Sequence, residues 1–175
     1  MENSIKSNAI NYGLYLGGAL ALMTVAIYAI DLSLMVNMWL GIFMLLIVVG
    51  FGVVATAKAK GLQEGFLSFK EAFSSYFITA VVGTVLANLV SYILFNFIDP
   101  EAAKQVSEMT VEATISMMEG FGAPAETIAQ TVEQLENQNQ FGLGTIAKNM
   151  VWAFVIQAVI GLIVAAIMKK SNPDA

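Results

Sequence analysis

Four long stretches of apolar residues, separated by shorter polar segments, form the main pattern along the chain. They cover residues 10–30, 38–57, 74–98 and 150–168, and none of them contains Asp, Glu, Lys or Arg. A helix needs about 20 predominantly apolar residues to cross the hydrocarbon of a bilayer, because each residue advances it by about 1.5 Å. The pattern therefore predicts an all-α integral membrane protein with four transmembrane helices in two antiparallel hairpins, forming a single membrane domain over residues 1–175.

The longest polar segment, residues 99–148, lies between the third and fourth stretches. Pro100 and Glu101 suit the first turn of a helix, where a missing amide proton costs nothing and negative charge is favoured. Apolar residues then recur every three or four positions from Ala102 to Met117, which predicts an amphipathic helix ending near Gly120. A second, shorter helix is expected to begin near Pro124. We therefore expect an acidic helical hairpin inserted between the third and fourth spans.

The lysines indicate which way the spans point. On one side of a four-span arrangement lie Lys6, Lys58, Lys60, Lys70, Lys169 and Lys170, and on the other side lie Lys104 and Lys148. Because basic residues favour the cytoplasmic side, both termini are expected in the cytoplasm and the acidic hairpin outside it. Trp39 and Trp152 begin the second and fourth spans, and indole rings at those positions also favour the outer interface.

Composition excludes several classes of protein. Apolar residues make up 58% of the chain and charged residues 12%, about half of what a soluble domain carries. The bilayer is therefore the expected surrounding. The chain has no Cys, His or Arg, which excludes thiol, haem and imidazole-metal sites, and we expect no cofactor. The formal net charge of -5 repels nucleic acid, so no nucleic-acid partner is expected.

The connection between the second and third spans carries an aromatic pattern. Ser68 and Glu71 have the spacing of a capping box, which predicts that the third helix begins at this point. Four apolar residues recur at spacings of four, three and four and are expected to form one stripe at the headgroup level: Leu62, Phe66, Phe69 and Phe73. The favoured interpretation is a foot that positions the third helix. The alternative is a docking surface for a cytoplasmic partner or a lipid headgroup.

Four uncharged polar residues within the spans are candidate packing or binding residues: Asn88, Ser91, Tyr92 and Gln157. The favoured interpretation is that they tie helices together by hydrogen bonds. Alternatively, they line a path for a neutral solute, since Asn88, Ser91 and Tyr92 have the spacing of a single helical face. No ionisable residue lies within the spans, which argues against proton-coupled transport.

Four glutamates in the hairpin are spaced by seven residues: Glu112, Glu119, Glu126 and Glu133. Stacked carboxylates of this kind can bind calcium. The break at Gly122 and Pro124 separates the second pair from the first, so a shared face is not required. A solvated acidic surface is therefore the favoured interpretation, and metal binding is the alternative.

Two blocks of sequence resemble an uncharacterised family. They are Gly65-Phe66-Leu67-Ser68-Phe69-Lys70-Glu71-Ala72-Phe73, which leads into the third span, and Phe97-Ile98-Asp99-Pro100, which ends it. They are similar to the hallmark blocks of a bacterial integral-membrane family, domain of unknown function 4199, and the likeness covers nearly the whole chain. The resemblance implies a small inner-membrane protein with both termini inside. It supplies no catalytic residue, ligand or cofactor.

These features bear on three classes of function. The favoured one is a non-enzymatic scaffold or accessory subunit of a membrane complex, with a protein partner or with a second copy of the chain. Rows of small residues such as Gly13 and Gly17 suit either kind of close helix contact. The alternative is a channel or carrier for a small neutral or lipidic solute. An enzyme is not expected, because no nucleophile and base occur at a motif spacing.

Overall fold

The computed structural model describes residues 2–171, with side chains described from residue 4 onwards. Its α-helices are α1 (Glu2–Ile30), α2 (Met38–Leu62), α3 (Phe69–Ile93), α4 (Pro100–Gly120), α5 (Ala125–Glu136) and α6 (Leu143–Met168). A short 3₁₀ helix (Leu32–Val36) joins α1 to α2, and a π-helical turn (Leu94–Ile98) extends α3. Four of these helices, α1, α2, α3 and α6, are long and apolar enough to cross a membrane. The predicted all-α fold with four membrane-spanning helices is confirmed.

Local hydrogen bonds explain where α3 begins. Ser68 Oγ accepts a hydrogen bond from the Glu71 amide at 3.3 Å, and Glu71 Oε2 accepts one from the Ser68 amide at 3.0 Å. This is the predicted capping box, which satisfies two amide groups that a helix start leaves unpaired. Just before it, Glu64 and Gly65 adopt positive φ angles of 56° and 88°, so the chain reverses direction between α2 and α3.

The start of α4 is fixed in a similar way. Asp99 Oδ1 accepts a hydrogen bond from the Ala102 amide at 2.9 Å, and Pro100 occupies the first turn, as the sequence predicts. Gly122, with φ of 73°, lies in the turn between α4 and α5. Both helices therefore fall within residues 99–148, and their position outside the cytoplasm stays a prediction.

The central helix of the bundle is α3, which contacts α1, α2 and α6. Its most extensive contact is with α1, where Thr79 Oγ1 donates a hydrogen bond to the Ala9 carbonyl at 3.0 Å. One turn further along both helices, a methyl group added at Gly13 would lie 2.6 Å from Val82 Cβ. The residue numbers of the contacting pairs increase along both helices, from Ala9 and Thr79 to Gly13 and Val82. Helices α1 and α3 therefore run in the same direction. The grouping into two antiparallel hairpins stays a prediction.

Tyr76 of α3 occupies the space between α2 and α6. A methyl group added at Gly52 of α2 would lie 2.5 Å from the Tyr76 ring, and one added at Gly161 of α6 would lie 2.9 Å from it. Glycine at these two positions therefore makes room for a large side chain. Tyr76 is completely buried as a result.

The outward surfaces of the four long helices are apolar. Leu22 of α1, Leu46 of α2, Leu89 of α3 and Ile163 of α6 are all exposed. Contiguous apolar surface of this extent does not face water in a soluble protein. It is the surface expected to contact lipid chains.

The two ends of the bundle differ in the residues they carry, and each is named here for them. The insertion end is where α4 and α5 lie. The lysine end carries Lys58, Lys60, Lys70, Lys169 and Lys170.

Candidate functional site

A cavity of about 490 Å³ lies at the insertion end, and each of the helices α1 to α6 contributes to its lining. One wall is largely apolar and includes Ile27 of α1 and Leu40 and Met44 of α2. Helices α3 and α6 contribute amide and hydroxyl groups to the lining, which belong to Asn88, Ser91, Thr145 and Asn149. None of the described residues that line this cavity is Asp, Glu or Lys. We call it the neutral cavity.

Two glutamines of the cavity lining, Gln138 and Gln140, lie in the segment that follows α5. Gln138 Nε2 donates a hydrogen bond to Thr145 Oγ1 at 3.2 Å. Gln140 Nε2 is buried and has no hydrogen-bond partner among the described residues. A buried amide without a hydrogen-bond partner destabilises the folded protein, because it has lost its hydrogen bonds to water. Gln140 itself lines the cavity, so a rotation of its side chain would bring this unpaired donor to an acceptor inside it.

The structure separates the four polar residues predicted within the spans. Asn88 and Ser91 both line the neutral cavity, where Asn88 Nδ2 donates to the Thr84 carbonyl at 2.8 Å. Tyr92 does not line it, and its ring instead packs edge-on against Phe97 with centroids 5.6 Å apart.

Gln157 lies deeper in the bundle, where only 4% of it is exposed. Its Oε1 accepts a hydrogen bond from the Tyr76 hydroxyl at 2.7 Å, so it ties α6 to α3. Tyr76 precedes Asn88 by three helical turns, which corresponds to about 18 Å along α3. Gln157 and Asn88 therefore do not belong to one polar path.

Close packing closes the neutral cavity towards the lysine end. Leu20, Val48 and Ala80 are buried in one cluster, and each lies on the lysine side of the cavity on its own helix. Tyr76 belongs to the same cluster and fills the gap between α2 and α6. The arrangement is a pocket with one closed end.

The insertion is attached to the bundle by contacts that span long stretches of sequence. The Tyr28 hydroxyl donates a hydrogen bond to Asp99 Oδ2 at 2.9 Å. The Ala102 amide, and next the Tyr28 hydroxyl, hold the pKa of Asp99 below its ordinary value, because both donate to the charged carboxylate. No local sequence pattern indicates this pairing, because 71 positions separate the two residues.

A second attachment involves the π-helical turn that extends α3. Asn96 Nδ2 donates hydrogen bonds to the Tyr92 carbonyl at 3.0 Å and to the Phe141 carbonyl at 2.8 Å. The rings of Phe95 and Phe141 stack with centroids 4.2 Å apart. The segment that leads into α6 is thus fixed against the end of α3.

The aromatic residues at the lysine end do not form the predicted stripe. A spacing of four, three and four places side chains on one face only within a continuous helix, whereas the chain reverses at Glu64 and Gly65. Phe66 therefore lies in the turn before α3, where Lys170 Nζ sits 5.3 Å from the centre of its ring. The prediction of a single stripe from Leu62 to Phe73 is wrong.

Phe69 and Phe73 belong to α3 but differ in their surroundings. Phe69 is 41% exposed, whereas the Phe73 ring stacks on Phe77 with centroids 5.5 Å apart. Between Phe66 and α3, Leu67 is buried and exchanges two backbone hydrogen bonds with Lys170, at 2.9 and 2.8 Å. This corner attaches the end of α6 to the start of α3.

The α4–α5 hairpin leaves much of its surface free. Among the helices of the described chain, α5 contacts α4 alone. Phe121, in the turn between them, is 84% exposed, and Met117 on the last turn of α4 is 50% exposed.

The four glutamates spaced by seven residues are also exposed. Among the side chains described, those of residues 4–171, no three acidic groups gather into a cluster that could hold a metal ion.

The four apolar helices define a multi-pass membrane protein. The chain belongs to the family described as protein of unknown function (DUF4199), whose profile matches residues 11–170. The resemblance noted from the sequence is thereby confirmed, and the family description assigns no activity. No curated protein and no solved structure matches the chain.

Proposed function

We propose that this protein is a non-enzymatic scaffold or accessory subunit of the inner membrane, with both termini in the cytoplasm. Its partner is another membrane or extracytoplasmic protein that binds the α4–α5 hairpin. The observation that carries the proposal is the exposure of Phe121, an aromatic side chain at the far end of a hairpin whose second helix rests on α4 alone.

Large exposed aromatic side chains are typical of the centres of protein interfaces. Phe121 and Met117 together supply an apolar centre, and the glutamates around them supply a charged rim. A partner that fits this surface has an apolar pocket bordered by basic side chains.

The remainder of the bundle supports a structural role. Hydrogen bonds tie its helices to each other, from Thr79 to Ala9 and from Tyr76 to Gln157. Asn8 Nδ2 also donates to the Ala55 carbonyl at 3.0 Å, which ties α1 to α2. Such bonds stabilise contacts between membrane helices and hold the hairpin on a rigid base.

Site-specific photocrosslinking tests the scaffold. A photoreactive benzophenone amino acid replaces Phe121 in one variant and the lipid-facing Leu46 of α2 in a control variant. In native membranes, the probe at position 121 should give a discrete protein adduct, and the probe at position 46 should give only lipid adducts. Met117→Ala should weaken the adduct from position 121, because Met117 belongs to the same surface.

Three outcomes distinguish the possibilities. An adduct with a different polypeptide identifies an accessory subunit, and an adduct with a second copy of the chain identifies a self-associating scaffold. If position 121 gives no protein adduct while both variants insert normally into membranes, the hairpin has no partner and the scaffold proposal fails.

The second candidate is a carrier for a small neutral or lipidic solute, and the neutral cavity favours it. Asn88 and Ser91 supply uncharged polar groups at the depth of the membrane. Flux of a neutral solute into liposomes should then fall in the variant Asn88→Leu/Ser91→Ala and stay unchanged in Leu89→Ala, whose side chain faces lipid. Equal flux in liposomes with and without the protein would refute the carrier.

A further inference from the structure

We infer that the neutral cavity is a binding site for an uncharged amphiphile, a lipid with a hydroxyl-bearing headgroup such as a diacylglycerol. The lipid enters from the bilayer leaflet at the insertion end, through the space between α2 and α6. This site goes beyond the scaffold proposal and does not depend on it, since the cavity and the exposed tip of the α4–α5 hairpin are separate surfaces.

The depth of the cavity matches one leaflet. Asn88 lies ten residues before Ile98, the last residue of the helical stretch that includes α3. That distance corresponds to about 15 Å, half of the roughly 30 Å of hydrocarbon in a bilayer. The cavity continues from this depth to Thr110 of α4, outside the predicted span. A ligand in it would therefore cross from the hydrocarbon into the headgroup region.

The space between α2 and α6 changes along the bundle. At the lysine end the two helices are linked, because Lys60 Nζ donates a hydrogen bond to the Met168 carbonyl at 3.0 Å. Next to this link, on the side of the insertion end, the ring of Tyr76 fills the gap. At the insertion end, both helices line the neutral cavity, and the exposed residues Gly41 of α2 and Asn149 of α6 belong to its lining.

The space beside Gly41 is free of protein atoms. A methyl group added there would meet no atom within 4 Å. The position faces free space, in contrast to Gly52 further along the same helix. A lipid chain can therefore approach the cavity sideways from the bilayer.

The lining selects for an uncharged ligand. A charged headgroup would lose its hydration in the cavity and find no described side chain of opposite charge there. Apolar side chains on the α1 and α2 wall suit an acyl chain. Gln140 Nε2 lacks an acceptor, which a hydroxyl or ester oxygen of the ligand can supply once the amide turns towards the cavity. A volume of about 490 Å³ lies within the range of small-molecule sites.

Photolabelling of the full chain in nanodiscs tests the site. The probes are a diacylglycerol with a diazirine in one acyl chain and a phosphatidic acid with the same acyl chains. We expect saturable labelling by diacylglycerol, competed by unlabelled diacylglycerol and located on peptides that line the cavity. Phosphatidic acid should label the outer helix surfaces without saturation.

Two variants remove polar groups from the cavity, and one serves as the control. Asn88→Leu and Gln140→Leu should each weaken diacylglycerol binding about fivefold, the change expected for one hydrogen bond. Gln140 lies outside the helices, so this variant should fold even if Asn88→Leu does not. Leu89→Ala, on the lipid-facing side of α3, should leave binding unchanged.

Equal labelling by the neutral and the charged probe would overturn the proposal, as would unchanged binding in folded Gln140→Leu protein. Native mass spectrometry gives an independent readout, because the purified protein should retain a neutral lipid and the Gln140→Leu protein should retain less of it. The crosslink from position 121 should be the same in wild type and in Gln140→Leu. Failure of the lipid site is therefore distinguishable from failure of the scaffold.

Discussion

Removing the Tyr76 hydroxyl group should measurably destabilise the bundle. In Tyr76→Phe, Gln157 Oε1 loses the donor that lies 2.7 Å away. Both residues are buried, so water cannot replace the lost bond. Hydrogen bonds between membrane helices contribute on average about 0.6 kcal/mol and at most about 1.7 kcal/mol. Because this bond is short and fully buried, we expect a loss of about 1 to 2 kcal/mol in the free energy of unfolding.

A double-mutant cycle isolates the bond from other effects of the substitutions. Gln157→Leu should also destabilise the protein, because it leaves the Tyr76 hydroxyl without its acceptor. The double variant Tyr76→Phe/Gln157→Leu leaves neither group unpaired. Its loss should therefore be smaller than the sum of the two single losses by about 1 kcal/mol, well above the error of about 0.3 kcal/mol in such cycles.

Reversible unfolding in mixed micelles of increasing SDS content is the assay, followed by circular dichroism. Tyr15→Phe serves as the control, because Tyr15 is largely exposed and its loss of a hydroxyl should change stability by less than about 0.5 kcal/mol. If the losses of the two single variants add without coupling, the Tyr76–Gln157 bond does not stabilise the contact between α3 and α6, and our reasoning is refuted.

Three further predictions concern other parts of the molecule. Gly52→Ala should destabilise the bundle by about 1 to 3 kcal/mol in the same assay, because its methyl group would overlap the Tyr76 ring. Gly50→Ala meets no atom within 4 Å and should be neutral or slightly stabilising, and equal losses in the two variants would contradict the packing. Because hydrogen bonds lower the pKa of Asp99 in the folded protein, the attachment of α4 should persist above about pH 4 and weaken as the pH falls through that lowered pKa. Hydrogen exchange in the first turn of α4 reports this, and Asp99→Asn should remove the pH dependence. The chain has no cysteine, so single-cysteine variants report orientation. Maleimide should label Phe121→Cys from outside intact cells and Glu64→Cys only after permeabilisation, and the reverse pattern would overturn the assigned topology.

The elements that local chemistry determines were predictable from the sequence. Long uncharged apolar stretches indicated the four spans, because lipid tolerates little else. The Ser68–Glu71 capping box was predictable because both partners lie within one helical turn. The same applies to Pro100 in the first turn of α4.

Contacts between distant segments were not predictable from one sequence. The pairs Tyr76–Gln157 and Tyr28–Asp99 depend on the axial position of each helix relative to its neighbour. The apolar residues of the helices are compatible with several such positions. The stripe through Phe66 failed for a different reason, since a spacing of three and four residues has meaning only within one helix. Of the candidate cavity, the sequence indicated Asn88 and Ser91 on one face, but not the residues that the other helices contribute.

The pairing of α1 with α3 has a consequence for biosynthesis. When the ribosome has synthesised only α1 and α2, the face of α1 that carries Gly13 has no partner helix. Val82 and its neighbours on α3 have not yet been synthesised. The nascent segment of α1 and α2 is therefore in the bilayer before the helix that covers the main contact surface of α1 has been synthesised. Two separately expressed fragments, cut in the turn at Gly65, should reassemble in the membrane, because the later fragment carries the helix that the earlier one lacks.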